Sequence, residues 1–379
     1  MLLPGATLGV LGGGQLGRMF CMAARNMGYR TVVLDPDAKS PAAEVADQHI
    51  QADYTDTAAL EEMAQACDAI TTEFENVPAE SLQFLASRRP VYPSAEAVAI
   101  ARHRVQEKDY AKQAGLSPAP YAAISTVQDI PAAIAVTGLP AIIKTTTLGY
   151  DGKGQVIIQD QAQLEAAFIE FGQVECVLER KMDLALEISV LLARNSRGEV
   201  ACYPPAENEH RNGILHQSIV PARVAQDIAE TARSQAMQLA NTLDYAGVLA
   251  VEFFITTDNQ LIFNEMAPRP HNSGHYTMDA AVVSQYEQQV RIMCDLVPGE
   301  ARLTSPVVMI NLLGDLWPVQ WGACLDNPAL KLHLYGKHEA RAGRKMGHFN
   351  LLATDTDTAI KAADKVFKQL APAPGQDLG

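Results

Sequence analysis

GVLAVEFFITTDNQLIFNEMAPRPHNSGHY, residues Gly247 to Tyr276, decides how the rest of the chain is read. Two apolar runs rich in β-branched and aromatic residues, Val248 to Ile255 and Gln260 to Met266, flank the turn-forming cluster Thr256-Thr257-Asp258-Asn259. That pattern predicts a β-hairpin. A two-residue loop at Asp258-Asn259 pairs Thr257 with Gln260 and, followed back along both strands, sets Glu252 opposite Glu265. Like charges directly opposite one another destabilise a sheet, and two carboxylates on buried strands do not both stay ionised without compensation. The alternative is a hairpin whose glutamates simply face solvent, the commonest environment for Glu. A cation between them is the remedy that chemistry suggests, and hard oxygen ligands suit Mg²⁺, with Asn264 adding a side-chain oxygen.

Beyond the hairpin, Met266 to His275 packs two prolines, one guanidinium, two imidazoles, an amide and a hydroxyl into one stiff loop. Polar groups this dense beside an acidic pair point to an anion or substrate site. NEMAPRPHNSGH after VEFF resembles the metal-binding hairpin and substrate loop of the ATP-grasp superfamily, in the form carried by the 5-(carboxyamino)imidazole ribonucleotide synthases of purine biosynthesis.

Composition bounds the alternatives. A chain of 379 residues is too long for one ordinary core and predicts two or three domains. The net charge of -14 argues against wholesale binding of nucleic acid or anionic membrane, so any phosphate site must be locally basic. The six cysteines, at 21, 67, 176, 202, 294 and 324, have neither C-x-x-C nor zinc-ligand spacing and read as thiols of a reducing compartment. With no basic n-region and no apolar run of transmembrane length, the expectation is a soluble cytoplasmic protein. The tail Ala371 to Gly379 reads as a disordered fringe.

At the N-terminus, the apolar Thr7 to Leu11 runs into Gly12-Gly13-Gly14-Gln15-Leu16-Gly17 and then a helical pattern, while Asp35 ends the next predicted strand. This matches G-x-G-x-x-G with a ribose-binding acid, so an NAD-dependent oxidoreductase is the rival from a different class. The same turn serves any βαβ corner, and the resemblance implies a first domain of this topology without a dinucleotide. The acid-rich turn Glu73-Phe-Glu-Asn76 follows a predicted strand at Ala69 to Thr72. Glu73 and Asn76 lie at the ligand edge of an α/β sheet, where they cap a turn or, by the resemblance, meet the nucleotide substrate.

A helix predicted from Ala95 to Ala114 carries Arg102, Arg104 and Lys108. A solvated basic face is one reading; the resemblance sends Arg104 to the ATP phosphates, with Lys108 fixing the helix. Further on, a strand ends in Lys144, and glycines at 149, 152 and 154 allow backbone N–H groups to turn toward one anion. Gly154 stands where a Walker loop needs Ser or Thr. The resemblance makes Lys144 and the loop Gly149, Tyr150, Asp151, Gly152, Lys153, Gly154 and Gln155 the phosphate flap. Tyr150, Asp151 and Lys153 also face the acceptor, Lys153 standing where arginine is frequent and so without the bidentate fork.

The same likeness implies that Glu179, Arg180, Lys181 and Met182 meet adenine, largely through backbone, that Glu187 accepts from ribose hydroxyls and that His210 stands near the nucleotide; all are otherwise ordinary polar residues. Asn264 and Glu265 complete the ATP contacts, and Glu252 with Glu265 holds the metal. Near the C-terminus, Lys337, Arg341, Arg344 and Lys345 gather four cations within nine residues of an acidic protein. Glycines space them, and Arg344 and Lys345, in the unchanged family run RKMGH, are implied ligands of the substrate phosphate.

The expected fold is α/β (α+β): a Rossmann-like pre-ATP-grasp domain at 1–100, a two-lobed ATP-grasp core at 101–300 with its smaller lobe at about 115–180, and a small C-terminal domain at 301–379. The implied reaction is ATP-dependent carboxylation of 5-aminoimidazole ribonucleotide with bicarbonate through carboxyphosphate, with Mg²⁺, in a homodimer. Arg269, His271, Asn272 and Lys144 are the catalytic candidates, the first three also holding bicarbonate and acceptor. Another ATP-grasp ligase, such as a formate-dependent glycinamide ribonucleotide transformylase or a biotin carboxylase, and a non-catalytic ATP-binding regulator are the other readings.

Overall fold

A computed structural model describes residues 1–147 and 154–370. The flap residues Gly149, Tyr150, Asp151, Gly152 and Lys153 and the tail from Ala371 lie outside the described residues.

Three sheets organise the chain. The first is parallel, with strands Thr7–Leu11, Arg30–Leu34, Gln48–Ile50, Ala69–Thr72 and Val91–Tyr92 in the spatial order third, second, first, fourth, fifth. Thr7–Leu11 is buried along its whole length, as a central parallel strand covered on both faces should be. The second sheet, antiparallel, joins Tyr121–Ile124, Cys176–Arg180, Ala141–Thr145 and Gln155–Ile158. Helices Ile130–Thr137 and Gln161–Glu170 close its apolar face over Ile124, Ile143, Leu164 and Phe168.

The third sheet has nine strands. Its edge is the hairpin Leu261–Ala267 with Gly247–Thr256, followed by Leu184–Arg194, Ala206–Arg211 and Ile214–Val220. The expected C-terminal domain is built onto this sheet. Its strand Val307–Leu313 pairs with Ile214–Val220, so Lys345–Leu352 and Leu330–Leu334 extend the ATP-grasp sheet instead of closing one of their own. That continuity carries Lys345 toward the same sheet face as the hairpin.

One predicted helix is broken. The Ala95-to-Ala114 pattern divides into Ala95–Arg102 and Arg104–Gln113 at His103, which takes an extended backbone (φ -113, ψ 105) and caps the second helix by accepting from Gln106 N. The break puts Arg104 on a first turn, its N–H donating to Thr146 O at 3.0 Å. After the substrate loop come the helices Thr277–Ala280 and Gln285–Met293, the second capped by Ser284.

Candidate active site

The hairpin reaches its predicted pairing by a different route. Its loop is 257–259, three residues, with Thr256 N donating to Gln260 O and Asn259 in the left-handed region at φ 63. This shifts the register by one, pairing Phe253 with Phe263. A β-bulge at Asn264 then restores it, and Glu252 stands opposite Glu265. In an unbroken strand, neighbours point to opposite faces. The bulge turns both Asn264 and Glu265 into one chamber.

That chamber, about 1190 Å³, lies between the sheets. Burial and the facing Glu265 carboxylate push the Glu252 carboxyl up from its ordinary range. Burial acts on Glu265 too, but Arg104 at 2.9 Å and Lys144 outweigh it and hold this carboxyl low. The pair therefore favours one negative charge where a divalent cation would permit two. Among the described residues no group of three or more His, Cys, Asp or Glu surrounds a common point. Two carboxylates and the Asn264 amide oxygen are a hard-oxygen set with room left for water and phosphate, which fits Mg²⁺.

A second electrostatic unit stands beside it. Glu179, only 4 % exposed, is gripped by Lys144 Nζ at 2.9 Å and Lys108 Nζ at 3.3 Å, and Lys108 also donates to Asn264 O. Burial opposes ionisation of Glu179, yet the two ammonium groups bring its carboxyl down to about 2. Its side chain is thus a counter-charge for lysines. That leaves its backbone for the expected adenine contact, and Glu179, Arg180, Lys181 and Met182 all line the chamber wall. Arg180 Nε is spent on Thr137 O. Gln155 pairs with Lys144 across strands and also lines the chamber, and Gly154 has the left-handed φ of 72.

Glu187 and His210 face each other from neighbouring strands, Nδ1 to Oε2 being 2.6 Å. Burial lowers the His210 pKa, but this carboxylate more than compensates and the net shift is upward. On the opposite wall, Glu73 is turned back on the glycine corner. Its carboxylate accepts from Gly14 N at 2.5 Å and Gly17 N at 2.7 Å, where a pyrophosphate sits in a dinucleotide fold. Asp35, the expected ribose acid, accepts from Gly13 N and Tyr54 Oη. The fingerprint thus seats two of the chain's own carboxylates. Glu73 still borders the chamber, as does Asn76.

Sequence reasoning passed over Glu75, which lies between them and clamps Arg269: Nε to Oε2 is 2.7 Å. Burial acts to raise the Glu75 carboxyl, but Arg269 brings it below its usual range. Only the three-dimensional approach of two domains reveals this pair. His271 Nε2 is 3.4 Å from Glu252 Oε1. Burial, reinforced by Arg269 and Lys345, pushes its pKa down to about 3, so the ring is neutral at pH 7. Asn272 lines the chamber, but its amide exchanges two hydrogen bonds with Asn311, at 3.0 and 2.6 Å. In this structure it ties the loop to Val307–Leu313 instead of presenting a free amide. Of the C-terminal cations, Lys345 borders the chamber, whereas the Arg344 guanidinium points out to donate to Glu339 O.

The comparisons with known proteins fall on these same regions. Residues 5–102 match the ribonucleotide synthetase preATP-grasp domain, 109–286 the ATP-grasp domain and 307–362 the phosphoribosylaminoimidazole carboxylase C-terminal domain. Fold and site together define an ATP-dependent ligase of the ATP-grasp class. An N5-carboxyaminoimidazole ribonucleotide synthase of Bacillus subtilis is 43% identical over 367 residues, 95% of each chain. The synthetase of Staphylococcus aureus, complexed with ADP, superposes with a TM-score of 0.92 at 39% identity, covering 97% of this chain and 98% of the other. That of Aspergillus clavatus, in complex with ADP and 5-aminoimidazole ribonucleotide, gives 0.90 at 28% identity, covering 97% and 99%. The chain belongs to the N5-carboxyaminoimidazole ribonucleotide synthase family.

Proposed function

We propose that the chamber carboxylates the exocyclic amine of 5-aminoimidazole ribonucleotide with bicarbonate, converting ATP to ADP and phosphate. The carrying observation is the convergence, in one chamber, of the facing Glu252–Glu265 pair, the Arg269–His271 loop and Lys345. The Aspergillus clavatus relative's complex with ADP and this ribonucleotide supports the substrate.

Arg104 and Lys144 stand where a nucleotide's phosphates would meet the carboxylate pair, and the ribose would lie toward Glu187 and His210. A bicarbonate oxygen attacks the γ-phosphorus as the bond to ADP breaks, giving carboxyphosphate. The amine nitrogen then attacks the carboxyl carbon, the carbon–oxygen bond to phosphate breaks, and one amine proton is released. Arg269 and His271 hold the anionic oxygens, and Lys345 attracts the ribonucleotide phosphate. Glu252 and Glu265 are the residues that would hold Mg²⁺, which would supply charge neutralisation at the transferring phosphoryl group. Among the described residues no helix is long and apolar enough to cross a membrane; the working form proposed is a cytoplasmic homodimer.

The test is a coupled ADP assay across acceptors, with mass analysis of product at a pH that preserves a carbamate. ADP release stimulated by aminoimidazole ribonucleotide plus bicarbonate supports the proposal. Equal stimulation by glycinamide ribonucleotide with formate, or by biotin, removes the substrate and leaves the ATP-grasp ligase.

A further inference from the structure

Behind His271 runs a line of buried polar side chains that binding and phosphoryl transfer do not use. His271 Nδ1 is 3.3 Å from the backbone N of Ser273 and 2.8 Å from its Oγ. Ser273 Oγ is 2.7 Å from Ser189 Oγ, Ser189 Oγ is 3.0 Å from Asn208 Nδ2, and Asn208 Oδ1 is 2.8 Å from Ser218 Oγ. Ser273, Ser189 and Ser218 are fully buried and Asn208 is 7 % exposed. The line crosses three adjacent strands beneath the loop: Leu184–Arg194, Ala206–Arg211 and Ile214–Val220.

Its direction follows from one group that cannot reverse. A backbone N–H only donates, so Nδ1 of His271 accepts and carries no proton. The Ser273 hydroxyl then donates to Nδ1 as well, and its oxygen accepts from Ser189. The single proton of Ser189 is thereby used, so Asn208 presents its NH₂ to Ser189 and its carbonyl oxygen to the Ser218 hydroxyl. Every member is satisfied in one sense only. The backbone of His271 is held equally firmly: its N–H donates to Gln285 Oε1 and its carbonyl accepts from Gln285 Nε2, both at 2.8 Å.

We propose that Ser273, Ser189 and Asn208 are positioning residues that lock His271 in the tautomer protonated on Nε2, making it a hydrogen-bond donor toward Glu252 and the substrate anion instead of a base. With Nδ1 saturated by two donors, the ring's only proton faces Glu252 Oε1, 3.4 Å away. A neutral donor there suits an anionic oxygen during reaction without adding a fixed positive charge beside Arg269. The proton shed by the amine must therefore go to an acceptor other than this ring.

Two measurements on the full chain test this. In ligand-free protein labelled with ¹⁵N-histidine, long-range proton–nitrogen correlations assign the tautomer at pH 7, His271 being identified by its loss in His271→Gln. A protonated Nε2 with a bare Nδ1 is expected; a protonated Nδ1, or two protonated nitrogens, overturns the proposal. This arm needs no substrate and stands or falls apart from the proposed reaction; the second arm rests on that reaction. Ser273→Ala is expected to lower kcat about tenfold, the loss of one buried hydrogen bond, with the KM for ATP within about twofold. Because Ser189 acts through Ser273, adding Ser189→Ala to that variant costs nothing more. Losses that multiply, or a Ser273→Ala kcat equal to wild type, refute the relay.

Discussion

Glu179→Gln should loosen the smaller lobe without altering its packing volume. The wild-type carboxylate is buried between Lys108 and Lys144 at 3.3 and 2.9 Å. Bringing a carboxyl from 4.5 to about 2 corresponds to about 3 kcal/mol, at roughly 1.36 kcal/mol per pH unit. Removing one partner of a buried ion pair typically costs about 3 to 5 kcal/mol, because the remaining charges are left uncompensated. The two figures agree, and about 3 kcal/mol is the expected loss. The sign follows from linkage: a depressed carboxyl contributes fully above its ordinary pKa of 4.5, and the contribution disappears as pH falls toward 2. The penalty is therefore complete at pH 7 and shrinks below pH 4.5. A chain with three sheets need not unfold in one step, and both tryptophans, Trp317 and Trp321, lie outside the smaller lobe. Hydrogen exchange by mass spectrometry on peptides covering Ala141–Thr145 and Cys176–Arg180 is the suitable assay. Exchange there should accelerate about a hundredfold at pH 7, the equivalent of that free energy. Exchange within about twofold of wild type would refute the claim that Glu179 compensates both lysines.

Glu252→Gln and Glu265→Gln should each lower kcat for ATP turnover by about 10² to 10³, the usual loss when one electrostatic contact to a developing charge is removed; activity within about tenfold of wild type in both variants would refute their role as metal ligands. Lys345→Ala should raise the KM for the ribonucleotide by about ten- to a hundredfold, as for a lost charged hydrogen bond, with a smaller rise for Arg344→Ala because that guanidinium is turned to Glu339 O. Equal rises in the two would show that Arg344 swings inward on binding.

How much of this was legible in the sequence depends on the distance over which each feature is encoded. The parallel sheet and its glycine corner follow from alternating strand and helix patterns within some thirty residues, and the hairpin from its two apolar runs. The pairing of Glu252 with Glu265 was also readable, although its path was not: a longer loop and the Asn264 bulge are two errors that cancel in the register. Nothing in local propensity announces that bulge, because the residue is extra only relative to its partner strand. The break at His103 was hidden for a related reason, since Ala95 to Ala114 is helical in composition and the interruption is fixed partly by Thr146, forty-odd residues away.

Charges met across domains were the least accessible. EFEN and the RPHNSGH loop were both prominent as polar clusters, but their connection runs through Glu75 to Arg269, two residues nearly two hundred positions apart. Spacing within either segment carries no information about that pair, and it led instead to Glu73, whose carboxylate is spent on Gly14 and Gly17. The same holds for Asn272, whose amide is committed to Asn311 on a strand continuous with the ATP-grasp sheet. Residue type marks where chemistry is concentrated; which partner each of two neighbouring acids takes is set by the donors the fold brings to it. An unpaired buried charge costs several kcal/mol, so the fold turns Glu73 to the backbone donors of the glycine corner within the first domain and selects Glu75 for Arg269, a pair made only once the first and third sheets have come together.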